Sequence, residues 1–330
     1  MPVNDQRRAP AIRALLLALS VVVMAPWGTA YAQADGAAGG VNAAERVDAV
    51  WRLVESRYWD LSTVSVDWAG LRDSYAAAAG GVNDEAELHE LLTRMVAELG
   101  DEHSRYVPPD EVARVRDAYG DLPCVGVFSQ AAGGASRAAG AFGPVRWRTD
   151  GRIGIVRLAD LAQAGTSAGV RDAVVHLERA GVRGLILDLR GNPGGRLVEM
   201  MRTAGVFVRG LLWRVTTRWS LPLPYPALGT PASDLPLAVL VDGSVASAAE
   251  GLAGALQASG RAVIVGERTM GNVEAVLPFC LRDGAQVWLA TGVLAPLGGA
   301  TWEGRGVEPD LAVAPGDALE AALELLSRQP

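Results

Sequence analysis

The chain has 330 residues, half of them hydrophobic, with a formal net charge of −7, and an acidic chain without basic runs is a poor partner for nucleic acid. Its 30 basic residues are all arginine, so Schiff bases and Ser-Lys dyads are excluded. Three histidines and two cysteines, scattered without paired spacing, exclude a metal-ligand cluster; no cofactor is implied.

In chain order, Arg7, Arg8 and Arg13 precede an apolar run from Ala14 to Ala25, and Ala30-Tyr31-Ala32 follows. That order reads as a secretory signal over residues 1–32. The apolar run falls short of the ~20 residues of a spanning helix. Cleavage without stable membrane insertion is therefore expected, with the protein periplasmic or secreted. Residues 33–43 form a Gly/Ala-rich flexible lead. Val47, Val50, Trp51, Val54 and Tyr58 recur at helical spacing, as do Leu88, Leu91, Leu92, Met95 and Val96. Asn83 and Asp84 offer an N-cap and Gly100 a stop. A helical domain over 44–120 follows, with His89 as a surface or packing residue. Residues 121–152 hold a short apolar strand near Cys124 and a Gly/Ala-rich connection. From 153 to 330 strands alternate with helices: Ile153–Leu158, a helix to Ala180, Gly184–Leu189, a helix through Met200, Leu235–Val241, a helix from Ser247, then strands at Ala262–Val265 and Val287–Ala290. That alternation implies an α/β core with a parallel-rich sheet covered on both faces.

Two strand-to-helix junctions carry chemistry. Arg190-Gly191-Asn192-Pro193-Gly194-Gly195 follows an apolar strand, and its glycines let backbone N–H groups approach a ligand closely. They serve an oxyanion or merely a tight connection; the sequence frame of a phosphate loop is absent. Ser247 stands at the first turn of a helix beyond another buried strand. The helix N-terminus favours developing negative charge there, yet serine is also a common N-cap. Both readings stay open on spacing alone. Cys124 and Cys280 form either a disulfide, which an exported protein permits, or two buried thiols.

The block from Leu99 to Pro109 is similar to the LGDxHSxY signature of the tail-specific, or carboxyl-terminal-processing, serine peptidases of the S41 type. Ile153–Leu158 resembles that family's "gIGYIRL" strand. Leu187–Gly195 resembles its LDLRxNPGG block, Ser244–Glu250 its SASASE block, and Gly306–Asp310 its GVxPD. Five blocks in order are jointly specific. The resemblance implies a crotonase-like core behind a small helical N-terminal domain, with 153–330 as the catalytic core. It also implies an acyl-enzyme on Ser247 and oxyanion donors at Ala248 and Gly194 or Gly195. Two departures stand out. The 121–152 segment is too short for the family's PDZ module. Asn272 stands where many members have the dyad lysine. A histidine-using, tricorn-type branch points instead to His103 as base and Glu303 as its acid partner. Glu102 stands where that branch has serine. Glu274 is a competing acid or, with Asn272, orients substrate; Arg190 is an ion-pair partner or a substrate contact.

The expected function is an exported serine endopeptidase acting on polypeptides, without metal, cofactor or nucleic acid. The alternatives are a catalytically silent, peptide-binding pseudo-peptidase and, with less support, a crotonase-like acyl-group binder. N-terminal sequencing of the exported protein is expected to begin at Gln33 or Asp35; membrane-bound protein retaining residues 1–30 refutes cleavage.

Overall fold

The computed structural model describes residues 42–119, 143–218 and 221–328. Three helices open it: α1 (Ala43–Arg57), α2 (Trp68–Ala79) and α3 (Glu85–Ala97). Asn42 caps α1 by accepting the Glu45 N–H, and Asp84 caps α3 by accepting the Glu87 N–H. α3 stops at Ala97, and Gly100, at φ 73°, turns the chain. β1 (Arg105–Val107) and α4 (Pro109–Tyr119) follow. The chain then runs β2 (Val145–Asp150), β3 (Ile153–Leu158), α5 (Thr166–Arg179), β4 (Gly184–Asp188), α6 (Leu197–Ala204), β5 (Leu211–Thr216) and β6 (Leu223–Pro226). It ends β7 (Leu237–Val241), α7 (Ala248–Ala258), β8 (Val263–Gly266), β9 (Glu274–Cys280), β10 (Gln286–Pro296), β11 (Leu311–Ala312) and α8 (Ala318–Ser327).

One sheet has the order β11-β8-β7-β4-β3-β2. Its neighbours are parallel except for β2, which returns antiparallel to β3. β4 and β7 are buried at every position, as continuous apolar runs in a sheet covered on both faces must be. One face packs with α5, α6 and α7 around Trp213, and the other with Ala318, Ala322 and Leu326 of α8. The α/β, crotonase-like expectation holds here.

A second sheet was not foreseen. β10 runs the whole of Gln286–Pro296 rather than Val287–Ala290 alone, and pairs antiparallel with β1, β9 and β5; β5 pairs in turn with β6. β9 and β6 are mostly half-buried, and β6 carries two prolines that suit an edge strand, so neither announces itself by alternation. This sheet is the floor on which the N-terminal helices sit. Phe279, Val287, Leu289 and Ala290 share one core with Val47 and Val50 of α1 and Leu88 and Met95 of α3. The packing therefore carries the loop between α3 and β1 to the start of β9. No helix among the described residues is long and apolar enough to cross a membrane. The strand expected around Cys124 lies outside the described residues.

Candidate active site

Ser247 is the N-cap of α7 and sits at φ 54°, ψ −126°, the only non-glycine residue with positive φ among those described. Such a conformation costs energy and persists only where its surroundings impose it. Its N–H donates to the Asn272 carbonyl at 2.7 Å and to Glu250 Oε2 at 3.2 Å. The glycine turn after β4 lies directly against it. A Cβ on Gly194, at φ 96°, would fall 2.7 Å from Ser247 Cβ and 2.8 Å from Ala248 N, so only glycine fits there.

The turn is itself locked. Asn192 is fully buried; its Nδ2 donates to the Leu158 carbonyl at 3.0 Å and its own carbonyl accepts the Ala246 N–H at 3.1 Å. Asn192 Oδ1 accepts the Gly194 N–H at 2.8 Å. The Gly194 N–H, expected as an oxyanion donor, is thus taken up inside its own turn. The N–H groups of Gly195 and Ala248 find no acceptor among the described residues. Arg190 takes the ion-pair reading. It grips both oxygens of Asp188 at 2.9 Å and donates to the Pro315 carbonyl at 2.9 Å.

Glu250 is fully buried one turn into α7. Its Oε1 accepts the Thr269 hydroxyl and the Gly271 N–H (2.7 Å), and its Oε2 accepts the Asn272 N–H (2.8 Å) as well as that of Ser247. The Thr269 hydroxyl in turn accepts the Val307 N–H at 2.7 Å. Loop 269–273 is thereby strapped to the start of α7.

His103 lies in the loop between α3 and β1. Asp101 Oδ1 accepts the N–H groups of His103, at 2.8 Å, and of Ser104, and Ser104 Oγ accepts the Ala290 N–H at 3.0 Å. His103 Nδ1 stands 3.1 Å from Glu274 Oε2, and Glu274 is buried at the start of β9. Burial alone would lower the His103 pKa. The hydrogen bond to Glu274 and the charges of Glu274, Asp101 and Glu303 outweigh it, and the imidazole lies above its ordinary value. Asn272 Nδ2 donates to Glu102 Oε2 at 3.1 Å. Loop 269–273 thus touches both halves of the site, Ser247 through one atom of Asn272 and the His103 loop through another. No hydrogen bond joins Ser247 to His103 directly among the described residues.

The carboxylate on the imidazole is that of Glu274, the competing acid, rather than that of Glu303. Glu303 Oε2 accepts the Val273 N–H at 2.7 Å, and its turn is tied down by the Gly304 N–H donating to the Gly271 carbonyl at 2.7 Å. Burial, reinforced by the charges of Glu274 and Glu250, pushes Glu303 up to about 6 against the pull of the Val273 bond and His103. Asp101, Glu102, Met270, Asn272, Glu274 and Glu303 line an open cavity of about 280 Å³. Elsewhere, ligand atoms of Glu85, His89 and Asp283 lie within 4.8 Å of one another, but Arg46 already pairs with both carboxylates. Cys280 lies on β9 with Gln286 Nε2 3.5 Å from its sulfur; Cys124 lies outside the described residues. Sequence reasoning missed Asn192 and Glu250 as organisers. Both stand inside the motif blocks, but nothing in spacing reveals which amides they bind.

A strained serine at a helix N-terminus, with a histidine held by a carboxylate across one loop, is the layout of serine-hydrolase sites. Residues 152–313 match the model of Peptidase family S41, and residues 43–97 that of the Tricorn protease C1 domain. A carboxyl-terminal-processing protease of Picosynechococcus is 37% identical over 135 residues, 41% of this chain and 32% of its own length. A chloroplastic C-terminal processing peptidase of Tetradesmus obliquus is 36% identical over 179 residues, 54% of this chain and 38% of its own. The matched segments thus span well under two thirds of these relatives. A solved photosystem II D1 C-terminal processing protease superposes with TM-score 0.66 at 24% identity, covering 88% of this chain and 98% of that one. A lipoprotein from Streptococcus agalactiae superposes with TM-score 0.67 at 17% identity, covering 90% of this chain and all of that one. At these identities the superpositions speak to fold. The chain carries a family S41 peptidase domain of crotonase-like fold.

Glu250→Ala strands the N–H groups of buried Gly271 and half-buried Asn272 and the buried Thr269 hydroxyl. At ~1–3 kcal/mol for each unpaired group, a loss of at least about 3 kcal/mol of stability is expected in chemical denaturation. A loss below about 1 kcal/mol contradicts the central place given to this carboxylate.

Proposed function

We propose that the protein is an exported serine peptidase that cleaves polypeptides through an acyl-enzyme on Ser247. The observation that carries this reading is the positive φ of Ser247 at the N-terminus of α7, beside a glycine that alone fits there. Ser247 Oγ attacks the scissile carbonyl carbon and its proton passes to His103 Nε2. Glu274 holds Nδ1–H and so fixes the tautomer. The N–H groups of Ala248 and Gly195 donate to the oxyanion. His103 then protonates the leaving amine, and a water, deprotonated by the same imidazole, hydrolyses the ester. Substrate binding must bring Ser247 and His103 together, as free sites often tighten only around substrate. Glu303, the acid to which the family resemblance points, contributes charge near the base rather than a bond. No metal or cofactor takes part.

The substrate is an exported polypeptide cut near its C-terminus, by likeness to the names of the curated relatives. A periplasmic or secreted location follows from the signal-like residues 1–32. We read 44–120 as a helical domain, 121–152 as a connection in place of a PDZ module, and 153–330 as the catalytic core. In that compartment Cys124 and Cys280 pair as a disulfide; thiol alkylation without reductant is expected to leave both unlabelled, and labelling of both removes the bridge.

A second reading, a silent peptide-binding protein, is favoured by Asn272 in the place of the dyad lysine and by the Asn272–Glu102 bond that spans the site. A fluorophosphonate probe separates the two. Labelling of the native protein that Ser247→Ala abolishes supports the enzyme. His103→Ala is expected to lower peptide turnover by at least ~10²-fold. Because a general base must be neutral, activity falls as pH drops through the His103 pKa. That pKa is raised, so the acid limb of kcat/KM is expected above the ~6.5 of a free histidine. No labelling and no turnover between pH 5 and 9 would leave the binding protein as the better reading.

A further inference from the structure

We propose that Trp59, from the helical N-terminal part of the chain, is a positioning residue for His103 and acts through Glu274. The inference rests on the reading of His103 as the base. Trp59 Nε1 donates to Glu274 Oε1 at 2.9 Å, while Glu274 Oε2 faces His103 Nδ1 at 3.1 Å. The three side chains form one line, indole to carboxylate to imidazole. Each carboxylate oxygen has one partner in it. Glu274 is 7% exposed, so water is a poor substitute for either. An indole N–H donates and never accepts or titrates in the working range. It therefore fixes Oε1 as the acceptor on that side and leaves Oε2 for the imidazole. Without it the carboxylate carries more negative charge and is held on one side only, by the imidazole.

The backbone around Trp59 makes the arrangement rigid. Trp59 follows Tyr58, the C-cap of α1, and its own N–H donates to the Ala290 carbonyl at 3.0 Å. The Ala290 N–H donates to Ser104 Oγ, beside His103. Trp59 and the His103 loop thus hang from one residue of β10. The β9–β10 register shifts between Ala290 and Gly292, at the end of the ladder where Glu274 begins β9. Bulges of this kind re-aim side chains. Tyr58 belongs to the same surroundings: burial first, then the charges of Asp101 and Glu274, raises its pKa. The hydrophobic helices are thereby more than a cover over β10. The residue after the C-cap of α1 supplies the donor that turns a buried carboxylate towards the base.

The groups facing His103 and Glu274 are Asp101 and Glu102 from the His103 loop, Tyr58 beside Trp59, and Glu303 with Glu250 behind it. All remain when the indole nitrogen is removed. Two variants remove it: Trp59→Phe, and replacement of Trp59 by β-(3-benzothienyl)alanine, which keeps the fused ring and lacks only the N–H. Loss of the donor leaves more negative charge for the imidazolium to meet. The acid limb of kcat/KM is then expected to move up by roughly half a pH unit, and kcat to fall about tenfold at unchanged KM. In a Glu274→Gln background the same change is expected to cost nothing further, since the line is already broken. A merely structural tryptophan would lower thermal stability and active fraction without moving the limb. An acid limb that stays in place or moves down in the benzothienyl protein, or losses that add in the double variant, overturns the proposal. His103→Ala with undiminished turnover overturns instead the reading of the base on which it stands.

Discussion

The buried carboxylate of Glu250 is the constraint on which the site depends. It collects the Ser247 N–H, two amides of loop 269–273 and the Thr269 hydroxyl in one place. A buried carboxylate is costly unless its lone pairs are satisfied, and here each oxygen has two donors. The arrangement contains a capping box, extended by a loop that borrows the same acceptor. The strained backbone of Ser247 and the path of residues 269–273 are therefore solutions to one requirement. Neither can relax without leaving donors unpaired in the core.

That loop matters because the two halves of the site come from different sheets. Ser247 and the Gly194 turn stand at the ends of β7 and β4, in the parallel-rich sheet. His103 precedes β1, which pairs with β10 in the antiparallel sheet. Residues 272–274 run from one to the other. The Asn272 carbonyl takes the Ser247 N–H, its side chain reaches Glu102, and Glu274 meets His103. Small shifts in this segment change the placement of Ser247 and His103 together, and its attachment to Glu250 limits them.

The sequence carried the elements whose apolar pattern reports burial on its own. β3, β4 and β7 read as short buried runs, and α1 and α3 as amphipathic helices with visible caps. The two glycine- and serine-bearing junctions were legible because a strand followed by a turn and a helix N-terminus has a local signature. What stayed hidden was non-local. Glu274 and Trp59 are 215 residues apart, and the antiparallel sheet that joins them contains half-buried strands with no clean alternation. The same limit governed the acid partner. Glu303 and Glu274 both lie near His103, and only the folded chain shows that Glu274 is the one 3.1 Å from the ring. Gly194 was read as a donor from its motif, whereas its N–H is spent on Asn192, two residues away in the same turn.

The missing lysine and the raised histidine express one electrostatic situation. The cavity between the His103 loop and loop 269–273 is lined by Asp101, Glu102, Glu274 and Glu303, with no basic side chain among its lining residues. A lysine at position 272 would have placed a positive charge among them; Asn272 places none and spends its side-chain amide on Glu102. The remaining group able to take up positive charge in this field is the imidazole of His103, and its pKa rises accordingly despite burial. The excess shows also in Glu303, which burial and neighbouring charges push up to about 6. On the proposed mechanism, an imidazolium formed when Ser247 gives up its proton is stabilised by the same carboxylates. The acidity of the cavity therefore works in the direction that proton transfer requires, while it narrows at low pH the range in which the imidazole is free to accept.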